Sequence, residues 1–373
     1  MSRIRVLVVD DSIVARRIVT DALAGDPQIE VIGTAANGQV ALAMVEQLAP
    51  DLVTMDIEMP VLDGIETVRA LRRRGDRTPI IMFATLNTQG AMSTFSALAA
   101  GATDFVTKPA SMTSAAASFA SVAQQLVPKV KALVPRPGPA RTTSRTLDTG
   151  PAIARTSDQI RLAAPPEGRV RPVRVVVVGA SMGGPEAVSH ILRRITPLPV
   201  PMVLVQHMPP TFTAQFAARL DRVCASKVLE SAGEEELAPG HVYIAPGDHH
   251  LELRASGRGV RTVLQTGPPV NFCRPSVDTM FSSAVGVYGG DLLAVVLSGM
   301  GTDGRAGSEA VVAAGGTVLV QDEASSVVWG MPGSVAKAGF AHRMLPLQEM
   351  CEAIVTVVKR VDTGALAPRG SAR

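Results

Sequence analysis

The sequence predicts an α/β protein made of two doubly wound parallel-sheet domains. Three observations carry this. Short runs of Val, Ile and Leu alternate with amphipathic stretches in both halves of the chain, the pattern of a parallel sheet with helices on its two faces. The runs are apolar throughout, as strands buried on both sides are. A length of 373 residues also exceeds what one hydrophobic core organises, since single cores stop growing near about 250 to 300 residues.

Over 3–122 the predicted strands are IRVLVVD, IEVIGTA, DLVTMD, PIIMFAT and ATDFVTK. Over 123–171 the composition turns to Pro, Arg, Thr and Ala with no apolar period, as in PRPGPARTTSRTLDTGPAIARTS, and predicts a flexible linker. Strand and helix alternate again over 172–362, with VRVVVVGAS, PMVLVQH, KVLES, HVYIAPG, DLLAVVLSGMG and TVLVQD as strands. The tail beyond reads as frayed.

Hydrophobic residues make up 46% and charged residues 18%, enough apolar material for sizeable cores. A net charge of +3 and 3% aromatics offer neither a phosphate-neutralising surface nor a base-stacking platform, so nucleic acid is not expected as a partner. Cys224, Cys273 and Cys351 are odd in number and contain no Cys-x-x-Cys pair, so neither a disulfide framework nor a zinc site is expected. The first apolar run, from Ile4 to Val9, is short and meets Asp10 and Asp11 at once, which fits no secretory leader, and no run approaches a membrane span. A cytoplasmic location is the expectation.

In the first domain Asp10 and Asp11 end the first strand, Asp56 the third, Thr85 the fourth and Lys108 the fifth. In an open parallel sheet these ends share one crevice. Three carboxylates there repel one another unless a hard cation such as Mg²⁺ shares them, and a lysine opposite can hold a phosphoryl group's charge. Any one of these residues alone reads as a cap or a solvated strand end; five at successive strand ends do not. Arg72, Arg73 and Arg74 read as a solvated, dipole-complementing helix end. Through VVDDS, LVTMDIEMPVLDGIE, FAT and FVTKP this third of the chain resembles the response-regulator receiver family, whose fold is flavodoxin-like. The resemblance implies that Asp56 is the phospho-acceptor, with a histidine kinase as phosphodonor. It further implies that Asp10, Asp11, Asp56 and the main-chain carbonyl of Glu58 hold Mg²⁺, and that Thr85 and Lys108 contact the phosphoryl oxygens.

The segment VVVVGASMGGPEAV reads as a buried strand, a Gly-rich turn and a helix opened by Pro185. Ser181 at that turn is open to three readings: a helix cap, a phosphate cradle or a nucleophile. The glycines do not fit Gly-x-Gly-x-x-Gly, no acidic residue ends the next strand, and Gly-x-Ser-x-Gly is absent. The next strand ends in His207 and a later one runs into Asp303, which brings Ser, His and Asp to one rim. A serine hydroxyl needs a base, imidazole suits that task, and a carboxylate orients the imidazole. His190 reads as a packing or surface residue, adjacent His249 and His250 diverge on a strand and so are not expected to share a metal, and Glu234 to Glu236 read as a solvated loop.

The runs GASMGGPEA, QHMPPTFTAQFAARLD, PGHVYIAPGDHHL, RPSVDTMFSSA, LSGMGTDG and QDEASSVVWGMPGSV resemble the catalytic domain of the chemotaxis protein-glutamate methylesterase / protein-glutamine glutaminase (CheB) family, a Rossmann-like domain. The resemblance implies cofactor-free hydrolysis of glutamate γ-methyl esters, with deamidation of some glutamines, on helices of methyl-accepting chemoreceptors, so that the protein meets a membrane only through receptors. It assigns the triad to Ser181, His207 and Asp303 and an oxyanion-hole N–H to Met300. The chain departs from the family pattern at Cys273, where a histidine often precedes Arg-Pro-Ser-Val-Asp, and at Ser298, which stands for a threonine; both departures are expected to touch substrate contacts only. The alternatives are a DNA-binding output, against which the long strand–helix pattern argues, and a non-catalytic docking module on the same fold. A switch domain tethered to a catalytic rim predicts that the first domain covers the second until Asp56 is phosphorylated, with the change passed outward near Phe105.

Overall fold

The computed structural model describes residues 3–108, 115–135, 160–164 and 171–359. The first unit runs β1 (Ile4–Val9), α1 (Ile13–Ala24), β2 (Ile29–Ala35), α2 (Gly38–Leu48), β3 (Leu52–Asp56), α3 (Gly64–Arg73), β4 (Ile80–Ala84), α4 (Thr88–Ala99), β5 (Asp104–Thr107) and α5 (Ala115–Leu133). Its sheet is parallel in the order β2-β1-β3-β4-β5. Because the order reverses at β1, a crevice opens beyond its carboxyl end. Helices α1 to α4 each start on a side-chain cap: Ser12, Asn37, Asp63 and Asn87 accept from an amide of the first turn. Such caps stabilise a helix start by about 1 kcal/mol each.

The second unit comprises β6 (Val175–Ala180), α6 (Gly184–Leu192), β7 (Met202–Gln206), α7 (Pro210–Val223), β8 (Lys227–Glu230), β9 (His241–Ile244), β10 (His250–Ser256), β11 (Gly259–Gln265), α8 (Val277–Tyr288), β12 (Leu292–Val296), α9 (Arg305–Ala313), β13 (Thr317–Gln321), α10 (Met331–Lys337), β14 (Arg343–Leu345) and α11 (Leu347–Val358). Seven strands form one parallel sheet, β14-β13-β12-β6-β7-β9-β8. Every residue of β6, β7 and β12 is buried, which is why these strands read as unbroken Val and Leu. The order reverses at β6, so the loops after β6, β7 and β12 share a rim.

Three features differ from the sequence reading. The helix α5 continues to Leu133, eleven residues into the stretch 123–171 read as linker, and tolerates Pro128 inside it; its Val122, Leu126 and Val130 are buried against β1, β4 and β5, and that apolar face outweighs the proline. Of the same stretch, 160–164 pack on the second unit, where Ala163 N–H donates to Ala341 O and Ile160 joins the core; the other residues of 136–170, like 360–373, lie outside the described residues. The antiparallel pair β10–β11 and the short strand β14 have no counterpart in the predicted strands. In the pair the apolar run is interrupted by the exposed, directly opposed Arg254 and Arg261, as expected of a hairpin with one face in water.

The two units meet through aromatic rings. Phe105 of β5 stacks on Phe212 of α7 with centroids 4.6 Å apart, and Phe95 of α4 stacks on Phe216 at 5.4 Å. All four rings are buried, and each contributes roughly 2 to 3 kcal/mol by burial. Helix α4 also packs on α6, so the first unit rests on the two helices whose N-termini follow Ser181 and His207.

Candidate active site

The strand β6 delivers Ser181 into a turn that closes through Gly184 N–H to Ser181 O at 2.8 Å. The cap position of α6 is Gly183, left-handed at φ 75, with no side-chain capping bond, so Ser181 is not the helix cap. Three hydrogen bonds from two buried residues hold the turn. Gln206 Nε2 donates to Ser181 O at 2.8 Å, Ser298 Oγ donates to Met182 O at 2.7 Å, and Ser298 O accepts from Ser181 N–H at 3.0 Å. Ser298, itself buried, thus supports the turn. Gly299 is required: a Cβ there would sit 2.9 Å from that of Ser181 and 2.3 Å from Met331 Sδ. Met300 follows at the rim, 38% exposed, and among the described residues nothing accepts from the N–H groups of Met182, Gly183 or Met300. Backbone N–H groups without acceptors beside a serine are what an oxyanion hole needs.

His207 directly follows β7, its side chain 13% exposed, and its Nε2 lies 2.9 Å from Asp303 Oδ2. Asp303 is 1% exposed and accepts six hydrogen bonds. Besides His207 the donors are Val277 N–H, Asp278 N–H and Gly304 N–H, at 2.7, 3.0 and 3.1 Å, and Ser276 Oγ and Asn271 Nδ2. Burial alone would push the Asp303 carboxyl up, but these bonds and His207 hold it down at about 2. Burial likewise works against a charged His207, yet Asp303, with Cys273, raises it to about 9. His250 is structural. Its ring is buried, with Nε2 on Pro268 O, and its Nδ1 accepts from Ser276 N–H. His249 stays apart, with Nδ1 on Gly247 O. His190 is half-buried, and burial lowers its pKa.

Two details of this rim were not part of the sequence reading. Among the described residues no hydrogen bond joins the Ser181 hydroxyl to His207. The ring's Nδ1, the nitrogen left once Nε2 serves Asp303, faces Cys273 Sγ at 3.6 Å. Cys273 therefore stands at the base and not merely among substrate contacts. Reading strand ends located the rim but carried no signal for the 270–273 turn that brings this thiol in.

The second constellation lies at the carboxyl edge of the first sheet. Carboxylate oxygens of Asp10, Asp11 and Asp56 lie within 4.8 Å of one another. Lys108 Nζ sits 2.8 Å from Asp56 Oδ1 and 3.5 Å from Asp10 Oδ2. Burial pushes both Asp10 and Asp56 up against the pull of Lys108, and burial in turn opposes the charge on Lys108 while Asp56 and Asp10 hold it above the usual range. Three carboxylates against one ammonium leave two negative charges, which suits a divalent, oxygen-seeking cation. Asp11, Asp56, Glu58, Thr85 and Lys108 line one cavity of about 270 Å³, large enough for a phosphoryl group. Thr85 forms a 3.4 Å contact with Asn87, and Glu58 is exposed. Elsewhere, Arg72 is not solvated: it binds the carbonyls of Gly101, Asp76 and Thr78 at 3.0 Å each, tying α3 to two loops. Glu235 is not a free loop charge either, since Thr262, Ser231 and backbone N–H groups overcome burial and hold it at about 2.

A protein-glutamate methylesterase/protein-glutamine glutaminase from a Nocardioides species is 51% identical over 371 residues, with 100% of both chains covered. The chain belongs to the CheB methylesterase family. The CheB methylesterase family model matches residues 176–354 and the response regulator receiver domain model matches 6–118. A relative of the same name from Trichodesmium erythraeum is 40% identical across 95% of this chain and 99% of its own. Among solved structures, the Thermotoga maritima CheB methylesterase catalytic domain is 41% identical, covers 50% of this chain and 99% of its own, and superposes with a TM-score of 0.49. Among the described residues of this CheB-family chain, no helix is long and apolar enough to cross a membrane.

Proposed function

We propose that the chain is a phosphorylation-regulated protein-glutamate methylesterase and protein-glutamine glutaminase acting on the cytoplasmic helices of chemoreceptors. The observation that carries this is the convergence of Ser181, the bonded pair His207–Asp303 and unpaired backbone N–H groups on one rim, in a family member aligned end to end with relatives of that name. Ser181 attacks the ester carbonyl, and His207 takes the hydroxyl proton at Nδ1 while Nε2–H stays on Asp303. The Met300, Met182 and Gly183 N–H groups receive the developing oxyanion, each such donor contributing about 3 to 4 kcal/mol. His207 returns the proton to the leaving methanol, or ammonia from a glutamine, and then takes one from the water that frees Ser181.

In the first unit Asp56 is the phospho-acceptor and a histidine kinase the donor. Asp10, Asp11, Asp56 and the Glu58 carbonyl would hold Mg²⁺, which when bound neutralises charge on the phosphoryl group. Thr85 and Lys108 close on that group from the far side. Lys108 follows β5 three residues after Phe105, whose ring stacks on α7, so recruitment of Lys108 away from Asp10 is coupled to the contact between the units. The unmodified first unit keeps large receptor helices from the rim, and phosphorylation loosens it. The test is release of labelled methanol from methyl-labelled receptor membranes by the full chain. Release that rises with a small phosphodonor supports the reading; no release with either form refutes it.

A further inference from the structure

The segment from Val270 to Cys273 is a tight reverse turn, closed by Cys273 N–H to Val270 O at 2.8 Å and Val270 N–H to Cys273 O at 3.0 Å. Its two central residues, Asn271 and Phe272, are both left-handed, at φ 50 and 63, as a type I′ turn requires. Asn271 Nδ2 ties the turn to Asp278 at 2.8 Å and to Asp303 at 3.2 Å. The turn thereby presents Cys273, half-buried, with Sγ 3.6 Å from His207 Nδ1. Thiol, imidazole and carboxylate stand in line on one ring, a nucleophile, a base and a group that orients the base. A soft metal ion is a poorer occupant, because all six hydrogen bonds to Asp303 would have to compete with it.

We propose that Cys273 is a second nucleophile on the His207–Asp303 pair, a modification site for soft electrophiles and low-molecular-weight disulfides whose capture silences hydrolysis at Ser181. Nδ1 takes the thiol proton and the sulfur attacks. With iodoacetamide a carbon–sulfur bond forms, the carbon–iodine bond breaks and iodide leaves with the electron pair. With a disulfide a new sulfur–sulfur bond forms, the old one breaks, and the departing thiolate collects the proton from the imidazolium, so one disulfide is consumed and one made. Either adduct stands against the ring nitrogen that must receive the Ser181 proton. Among the described residues Cys224 and Cys351 have no such base. Burial pushes both thiols up, and the contact recorded for Cys351 Sγ is a carbonyl at 3.9 Å.

The silencing rests on the proposed hydrolysis, whereas the reactivity of Cys273 does not, and the experiment separates them. The full chain is treated with iodoacetamide at neutral pH, alkylation of each cysteine is timed by peptide mass spectrometry, and methanol release is measured on the same samples. Cys273 is expected to react about tenfold faster than Cys224 or Cys351, and His207→Gln to remove that advantage, since a neighbouring imidazole activates a thiol. Methanol release should fall in step with the Cys273 adduct, and in Cys273→Ala the ratio of treated to untreated release should stay near one. Equal rates at the three thiols, or a fully alkylated Cys273 with undiminished release, overturn the proposal. Cys224 and Cys351 report on folding; if they speed up in His207→Gln, the wild-type rates decide. If untreated protein releases no methanol, the hydrolase reading fails while the alkylation rates still judge the thiol.

Discussion

Replacing Asp303 by Asn keeps the side chain's shape and removes its charge, and the structure sets what that costs. Asp303, with Cys273, holds His207 at about 9 against an ordinary 6.5, a difference that corresponds to about 3 kcal/mol at roughly 1.4 kcal/mol per pH unit and is the upper limit of what the carboxylate supplies. The Asn side chain accepts on one oxygen only, so its NH2 group must face either the buried Val277 N–H, now bonded at 2.7 Å, or the cluster of donors on Oδ1. An unpaired buried donor adds about 1 to 3 kcal/mol. The expected loss is about 3 to 5 kcal/mol, the range for breaking a buried ion pair. At about 2 to 4 °C per kcal/mol for a unit of this size, the melting temperature falls by on the order of 10 °C. The sign with pH is fixed by the two shifts. His207, raised, contributes fully below 6.5 and loses its contribution as pH rises through about 9; Asp303, lowered from 3.8 to about 2, contributes above 3.8 and loses it as pH falls through about 2. The difference between wild type and variant should therefore be greatest between about pH 4 and 6.5 and shrink above about 9. Thermal melts across that range, with methanol release on folded variant, are the assay. Turnover should fall by about 10⁴, as for loss of an orienting carboxylate. A melting temperature unchanged at pH 6, or a loss equal at pH 6 and pH 10, would refute the reasoning.

Other outcomes follow from the same contacts. Because His207 acts as a base only when neutral, turnover by folded wild type should rise with pH and level off near 9, and a flat profile from neutral pH upward would count against Nδ1 as the proton acceptor. A chelator should block phosphorylation of Asp56 and leave basal methanol release intact; inhibition of basal release would point to a metal at the esterase rim. Phe95→Ala removes one ring from the stack between the units and should raise basal release severalfold, whereas Asp56→Asn should abolish stimulation by a phosphodonor. Equal basal rates in wild type and Phe95→Ala would remove the first unit's role as a cover.

Both parallel sheets could be read directly, because strands buried on both faces leave uninterrupted Val and Leu runs and each polar residue at a run's end marks the sheet's carboxyl edge. That rule found Asp56, Lys108, Ser181 and His207. It found Asp303 through the Gly-rich turn after β12. What it missed lies where position depends on tertiary contact. The α5 face that carries the chain to Leu133 is apolar only in relation to β1, β4 and β5. Gln206 and Ser298 look like ordinary strand-end residues until their bonds to the Ser181 turn are seen. Cys273 is far from every strand end, and two left-handed residues in succession, Asn271 and Phe272, bring it to His207; nothing in local composition signals that turn as Asn-Gly would. Arg72 and Glu235 look solvated in sequence because their partners, loop carbonyls for Arg72 and nearby amides with the Ser231 and Thr262 hydroxyls for Glu235, are set by how the loops fold and leave no mark in composition.

The central claim is that Ser181, and not the neighbouring thiol, carries the acyl group. A serine-directed fluorophosphonate applied to the full chain, followed by peptide mapping, tests this most directly. The account predicts one phosphonylated residue, Ser181, with labelling lost in His207→Ala and with methanol release falling in proportion to the adduct. An adduct on Cys273, or undiminished methanol release from protein fully labelled at Ser181, would contradict it.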